Sequence, residues 1–427
     1  MRQALAAGDD TPRTPRIPQA PPDPQDAPDL QSPQDPRGRD DRQPDLVVRA
    51  GSPAALLTLV PHLLGFVPEV SLVVMGVASP RDRIRVTLRY DLPEPPEPGL
   101  VADIVAHAVG VLRTQRLTAA VAVGYGPDAL VTPAADELRD AARRAGIDLR
   151  EFLRVQDGRY WSYLCGNEAC CPAAGVPFEP DPQAAQAAAL IGAGTPVLAS
   201  RAAVAARVAP LGGIAAESMR QATRRAERHV ARLLARVRRS DRLGAVRHMI
   251  AAEGLAAVRA MIAWYRGGGR YTSDDEIARL TVALRDLRDR DDAWARMDPA
   301  HSGAHLRLWI DVTRRAQPGH VGAPAALLAF VAWQAGDGAL ANVALDRALA
   351  DDPGYSMALL LRQVISAGTP PSLARLPMTP EEVAASYADA DDEAFPGGED
   401  DEDYEDYEDD DHHADIDDHD PDLGDAG

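Results

Sequence analysis

All three cysteines of the 427-residue chain lie in one stretch, YWSYLCGNEACCPAAGVPF (160–178), as Cys165, Cys170 and Cys171. Thiols grouped this closely have three uses: holding a soft metal, responding to redox state, or packing inertly. A structural zinc site takes four tetrahedral ligands, commonly from C-x2–4-C pairs. The spacing here is C-x4-C-C, adjacent cysteines are poorly placed to reach one centre, and no histidine stands nearby. No metal is therefore expected, with Cys165, Cys170 and Cys171 as the only candidates. A disulfide from Cys165 to Cys170 or Cys171 closes a small loop worth roughly 2 kcal/mol. A Cys170–Cys171 bond is strained, because adjacent Cα atoms are about 3.8 Å apart. A reducing compartment disfavours any of these as a permanent bond. The leading expectation is a structural turn. Redox-responsive thiols and a metal site are the alternatives.

Other residue patterns carry less chemistry. Every basic side chain is Arg, so Schiff-base and P-loop lysine chemistry is excluded. There is no G-x-S-x-G elbow and no GxGxxG or Walker pattern. VGYGPDA (123–129) is a strand followed by a glycine turn, a place where α/β folds bind ligands, but it carries no nucleotide signature. His62, His107, His229, His248 and His320 are scattered. His301 and His305 stand four apart without an HExxH pattern or an acidic third ligand. His412, His413 and His419 lie in an acidic segment without EF-hand spacing. No cofactor is expected. Arg220, Arg224, Arg228, Arg232 and Arg236 recur every four residues, which makes a basic helical stripe. It reads as a solvated face, or as a docking surface for the chain's own acidic tail, or for an acidic partner or nucleic acid. LRDLRDRDDAW (284–294) places Arg285 with Asp289 and Arg288 with Asp292 at i,i+4. Such pairs on a helix surface are worth about 0.3–0.5 kcal/mol each.

The elements that must position these residues are readable from periodicity. Ser52 and Pro53 start a helix with Leu56, Leu57, Val60, Leu63 and Leu64 on one face, limited by Pro61 and Gly65. SLVVMGV (71–77) is continuously apolar, as in a strand covered on both faces. RIRVTLRY (83–90) alternates, with Ile84, Val86 and Leu88 on one side, and SPRD between the two is turn chemistry. A helix over 100–115, a strand over 119–126 and a helix over 133–145 capped by Gly146 follow. Strands at 147–155 and 159–164 flank Asp157-Gly158, a strong hairpin dipeptide. After Asp181 the pattern is helical: 182–191, 199–209, 214–239, 241–265, 274–297, 302–315, 323–335, 338–350 and 355–366. Ser273 and Glu276 have capping-box spacing.

The fold class expected is an α/β N-terminal domain, a mixed sheet with helices, over 46–180, followed by an all-α domain over 181–370. A linker or short helix covers 371–390. The first 45 residues hold ten prolines and few aliphatic residues, and are expected to be disordered. From Asp391 to the end there are 20 of the 65 acids and no base. This leaves 45 acids against 45 Arg in the rest, so the net charge of −20 belongs to that tail, also expected to be disordered. No apolar run reaches membrane-spanning length, and the opening residues lack a signal-peptide core. The expectation is a cytoplasmic chain with no membrane partner. The neutral body and the phosphate-repelling tail argue against nucleic acid.

GDGALANVALDRALADDP (336–353) matches the second helix of a tetratricopeptide repeat. Gly336-Asp337 makes the turn, Ala341 is the small contact residue, and Pro353 is the stop. One copy suits a single helical hairpin (323–366) capping the domain better than a peptide-binding solenoid. Three stretches, SPAALLTLVPHLLGFVPEVSLVVMGV, GRYWSYLCGNEACCPAAGVPFEP and LLAFVAWQAGDGALANVALDRALADDPGYSMALLL, together resemble the bacterial domain of unknown function 4192 family, over Asp45 to Thr369. The resemblance places Trp161 to Cys165 and Cys170-Cys171-Pro172 within the family's pattern and implies no catalytic residue. The functional expectation is a non-catalytic interaction or regulatory protein. The alternative is an enzyme or a redox- or metal-responsive protein using Cys165, Cys170 and Cys171.

Overall fold

The computed structural model describes residues 52–78, 83–185, 197–237, 243–270, 272–373 and 378–394. The proline-rich head, the turn at 79–82, most of the helix expected over 182–191 and the acidic tail beyond Ala394 lie outside them. The N-terminal part is a six-stranded mixed sheet with helices on both faces, and the rest is helical, as the patterning indicates. No helix among the described residues is long and apolar enough to cross a membrane.

Helix α1 (Pro53–Leu64) starts where Ser52 Oγ accepts from the Ala55 amide at 3.1 Å. It runs through Pro61 and stops at left-handed Gly65. The sheet comprises β1 (Ser71–Ala78), β2 (Arg83–Asp91), β3 (Ala119–Tyr125), β4 (Asp148–Gln156), β5 (Arg159–Ser162) and β6 (Val176–Pro177), in the order β2-β1-β3-β4-β5-β6. Only the β3–β4 pair is parallel, bridged by α3 (Asp128–Ala145), which begins five residues before the expected Pro133. With α2 (Pro98–Thr114), α3 covers one face, burying Leu72, Val74, Ala120, Ala122 and Phe152. On the other face α1 covers Val73, Met75, Val123 and Leu153. Strand β1 is thus buried on both sides, which is why its sequence does not alternate.

The alternation of β2 misplaces one residue. The β1–β2 register skips Arg85, so Val86 pairs with Gly76 and Ile84 with Val77. That bulge turns Ile84 to the α1 face, while Val86, Leu88 and Tyr90 stay on the α2–α3 face. Asp157 and Gly158 both take positive φ (49° and 71°), as a two-residue β4–β5 hairpin requires. Strand β6 was not expected. It returns the chain to the sheet after the cysteine loop.

The helical part contains α4 (Arg201–Ala206), α5 (Gly213–Val237), α6 (Leu243–Arg266), α7 (Asp274–Ala283), α8 (Leu287–Ala295), α9 (Ser302–Arg315), α10 (Gly322–Gln334), α11 (Gly338–Asp351), α12 (Ser356–Ser366) and α13 (Pro380–Ala394). The capping box at Ser273 and Glu276 is complete. The single helix expected over 274–297 breaks before α8, where Asp286 accepts from the Arg288 amide at 2.9 Å and caps a new start. Every residue of α10 from Gly322 to Trp333 is buried, and α11 packs along it. Helix α10 is therefore central to the helical core, because an all-apolar helix must be covered on every side. Phe66, leaving α1, bridges to Leu198 and joins that core.

Candidate thiol site

The cysteine loop is carried by the β4–β5 hairpin and closed by β6. Its anchoring starts on β4, where Glu151 Oε1 accepts from the Phe152 amide (2.9 Å) and from Ser162 Oγ (2.7 Å). Ser162 Oγ in turn accepts from the amides of Leu164 and Cys165, each at 3.2 Å, which holds the first cysteine over the end of β5. On the far side, Trp161 Nε1 donates to Ala173 O at 3.0 Å and Arg159 Nη1 to Gly175 O at 2.8 Å. The Arg154 guanidinium, paired across the strands with Trp161, stacks 3.7 Å from its ring centroid. Gly175 has φ +76°, and a Cβ there would stand 2.5 Å from the Trp161 ring, so only glycine fits.

Within the loop, Asn167 organises the turn. Its carbonyl accepts from the amides of Cys171 (2.8 Å) and Cys170 (3.2 Å), and its Oδ1 from Ala169 (3.0 Å). This folds the adjacent cysteines back over Cys165. The sulfurs of Cys165 and Cys170 are 3.1 Å apart, those of Cys170 and Cys171 3.8 Å, and all three lie within 4.8 Å of one another. Adjacency was expected to keep Cys170 and Cys171 from sharing a centre, but the turn overrides it. Among the described residues this is the one cluster of His, Cys, Asp or Glu with such ligand spacing. Cys170 is exposed, and Cys165 and Cys171 are half-buried.

The sulfurs are electrostatically unequal. The Cys165 thiol is held below its ordinary range, first by the hydrogen bond from Cys170 and then by the Asn167 backbone and Cys171. The same bond to Cys165 raises Cys170, and Cys171 is pushed up to about 12. The three thiols therefore titrate as one coupled group rather than independently.

The other sequence-derived features separate. Arg220, Arg224, Arg228 and Arg232 are exposed along α5, opposite buried Met219, Ala222, Ala226 and Leu233. The side chain of Arg236 lies outside the described residues. Arg220 is paired with Glu217. His301 Nδ1 bonds Asp298 at 2.7 Å, whereas His305 is buried and accepts at Nε2 from the Asp298 amide at 3.4 Å. Asp289 and Asp292, expected in surface ion pairs, are both buried. Asp292 instead binds Arg259 of α6 (2.9 Å) and Arg296 (2.6 Å). An apolar cleft of about 430 Å³ opens beside Trp294, Trp333, Met357 and Leu361. Sequence reasoning passed over Glu151, Ser162, Asn167 and Arg154 as loop anchors. Only Asn167, in a Gly-Asn turn dipeptide, carried a local signal.

A family model described as domain of unknown function (DUF4192) matches residues 53–372. No curated protein and no solved structure matches the chain.

Proposed function

The chain belongs to the DUF4192 family, and on that premise we propose that it is a non-catalytic regulatory protein whose responsive element is the thiol loop at the sheet edge. The observation that carries this reading is the convergence of Cys165, Cys170 and Cys171 to within 4.8 Å on a loop that solvent reaches. Inert cysteines are typically buried singly in apolar surroundings. The setting is a reducing cytoplasm, where thiols persist until challenged. Oxidation that draws two of these sulfurs into a disulfide strains a loop tied to β5 and β6 through Trp161 and Arg159, so the signal is the conformation of that sheet edge, read by a protein partner.

Amide hydrogen exchange of the reduced full-length protein, with and without a disulfide-forming oxidant, tests the reading. Exchange should change over 159–178 and stay constant in α10. Identical exchange over 159–178 would sink it. An enzyme using Cys165 as nucleophile is the competing reading, favoured by the depressed Cys165 thiol. It requires a substrate-like electrophile to label Cys165 with saturating kinetics, whereas the regulatory reading predicts a simple second-order rate.

A further inference from the structure

We propose that Cys165, Cys170 and Cys171 form a three-thiolate site for a thiophilic closed-shell cation, Zn²⁺ or Cu⁺, with the fourth position of Zn²⁺ left to solvent or a donor from outside the chain. This deepens the thiol-loop reading and rests on it. A zinc–sulfur bond of about 2.3 Å at a tetrahedral angle sets sulfurs about 3.8 Å apart. The distances here are 3.1 and 3.8 Å, with the third pair inside 4.8 Å, so rotamer adjustments suffice and the backbone stays in place. A disulfide uses two of the sulfurs and leaves the third idle. A soft cation engages all three.

The surroundings are those of a held ligand set. Cys165 is fixed by the hydrogen bond its amide donates to Ser162 Oγ, which itself donates to Glu151, and Cys170 and Cys171 by the hydrogen bonds their amides donate to the Asn167 carbonyl. Contacts of this kind outside a ligand set hold its members in orientation. Exposed Cys170 leaves an entry path. Binding replaces up to three S–H protons by metal–sulfur bonds, the protons leave to solvent, and no electrons move.

The test uses reduced full-length protein. Zn²⁺ and Cu⁺ are titrated separately against a chromophoric chelator, and the rate of thiol alkylation is followed with and without each metal. Co²⁺ serves as a spectroscopic probe of thiolate charge transfer. Expected are one equivalent bound, protection of all three thiols, and charge-transfer absorption that weakens in Cys165→Ser, Cys170→Ser and Cys171→Ser. Each substitution should lower affinity by more than about 100-fold. Tight one-to-one binding of either cation supports the proposal, and direct competition assigns which. Unchanged alkylation of the wild-type protein under both metals, with no charge-transfer band, would overturn it whether or not the variants fold. If the metals fail while oxidation still links Cys165 to Cys170, the metal site falls and the thiol-responsive reading stands. If the loop responds to neither, both fall.

Discussion

Asp289 and Asp292 stand one helical turn apart on α8, both buried, yet their carboxyls shift in opposite directions. Burial raises both carboxyls, but hydrogen bonds from Arg296 and Arg259 outweigh it at Asp292 and hold that group below its usual range. Asp289 has an oxygen without a partner and is pushed up to about 7, by burial first and then by Asp286. A carboxyl raised on folding contributes stability that is complete below the ordinary value of about 4 and lost as pH rises through 7. Asp289→Asn should therefore flatten the pH dependence of stability between pH 4 and 7, and stabilise the protein at pH 8 by about 1–2 kcal/mol. Thermal unfolding across that range checks it, and an unchanged slope contradicts it. His305 acts with the opposite pH dependence. Burial pushes it down to about 4, so its contribution is present above about 6.5 and lost as pH falls through 4. In the thiol loop, Gly175→Ala should cost about 1–3 kcal/mol and shift Trp161 fluorescence, since the new methyl meets that ring at a positive φ.

At the scale of elements, local signals placed starts and stops well. Ser52 caps α1, Ser273 and Glu276 close the capping box of α7, and Asp157-Gly158 makes the β4–β5 turn. These depend on neighbours within three residues, so the sequence displays them. Asp286, which caps α8 three residues past the end of α7, is hidden in a run of Arg and Asp that has helical periodicity throughout. Asp286→Ala should destabilise the protein by about 1 kcal/mol, measured as a lower denaturant midpoint with unchanged slope. A larger slope change would mean that the cap does more than start α8. The candidate site was half legible at this scale. The clustering of cysteines and their position after a strand could be read directly. Strand β6, two residues long, has no periodicity to read, so the loop's return to the sheet could not.

For the whole molecule, charge is divided between parts. Residues before Asp391 balance 45 acids with 45 Arg, while the tail supplies the −20. With the tail removed, the exposed Arg220, Arg224, Arg228 and Arg232 face should dominate binding to polyanions. A chain ending at residue 390 should be retained on heparin in a salt-dependent way, and the full chain released earlier. Equal retention would separate the tail from the Arg face. The sequence by itself determined the mixed sheet followed by helices, the family, the helix caps and the gathering of thiols near one strand end. Each of these is written in short-range pattern and spacing. Only the tertiary structure decided that Cys170 and Cys171 turn back onto Cys165, that Ile84 changes face at a bulge, that Asp289 and Asp292 are buried, and that α10 is central. Side-chain direction through a turn, and the depth of a helix face, depend on partners far along the chain: Ser162 and Trp161 for the loop, Arg259 for Asp292, α11 for α10.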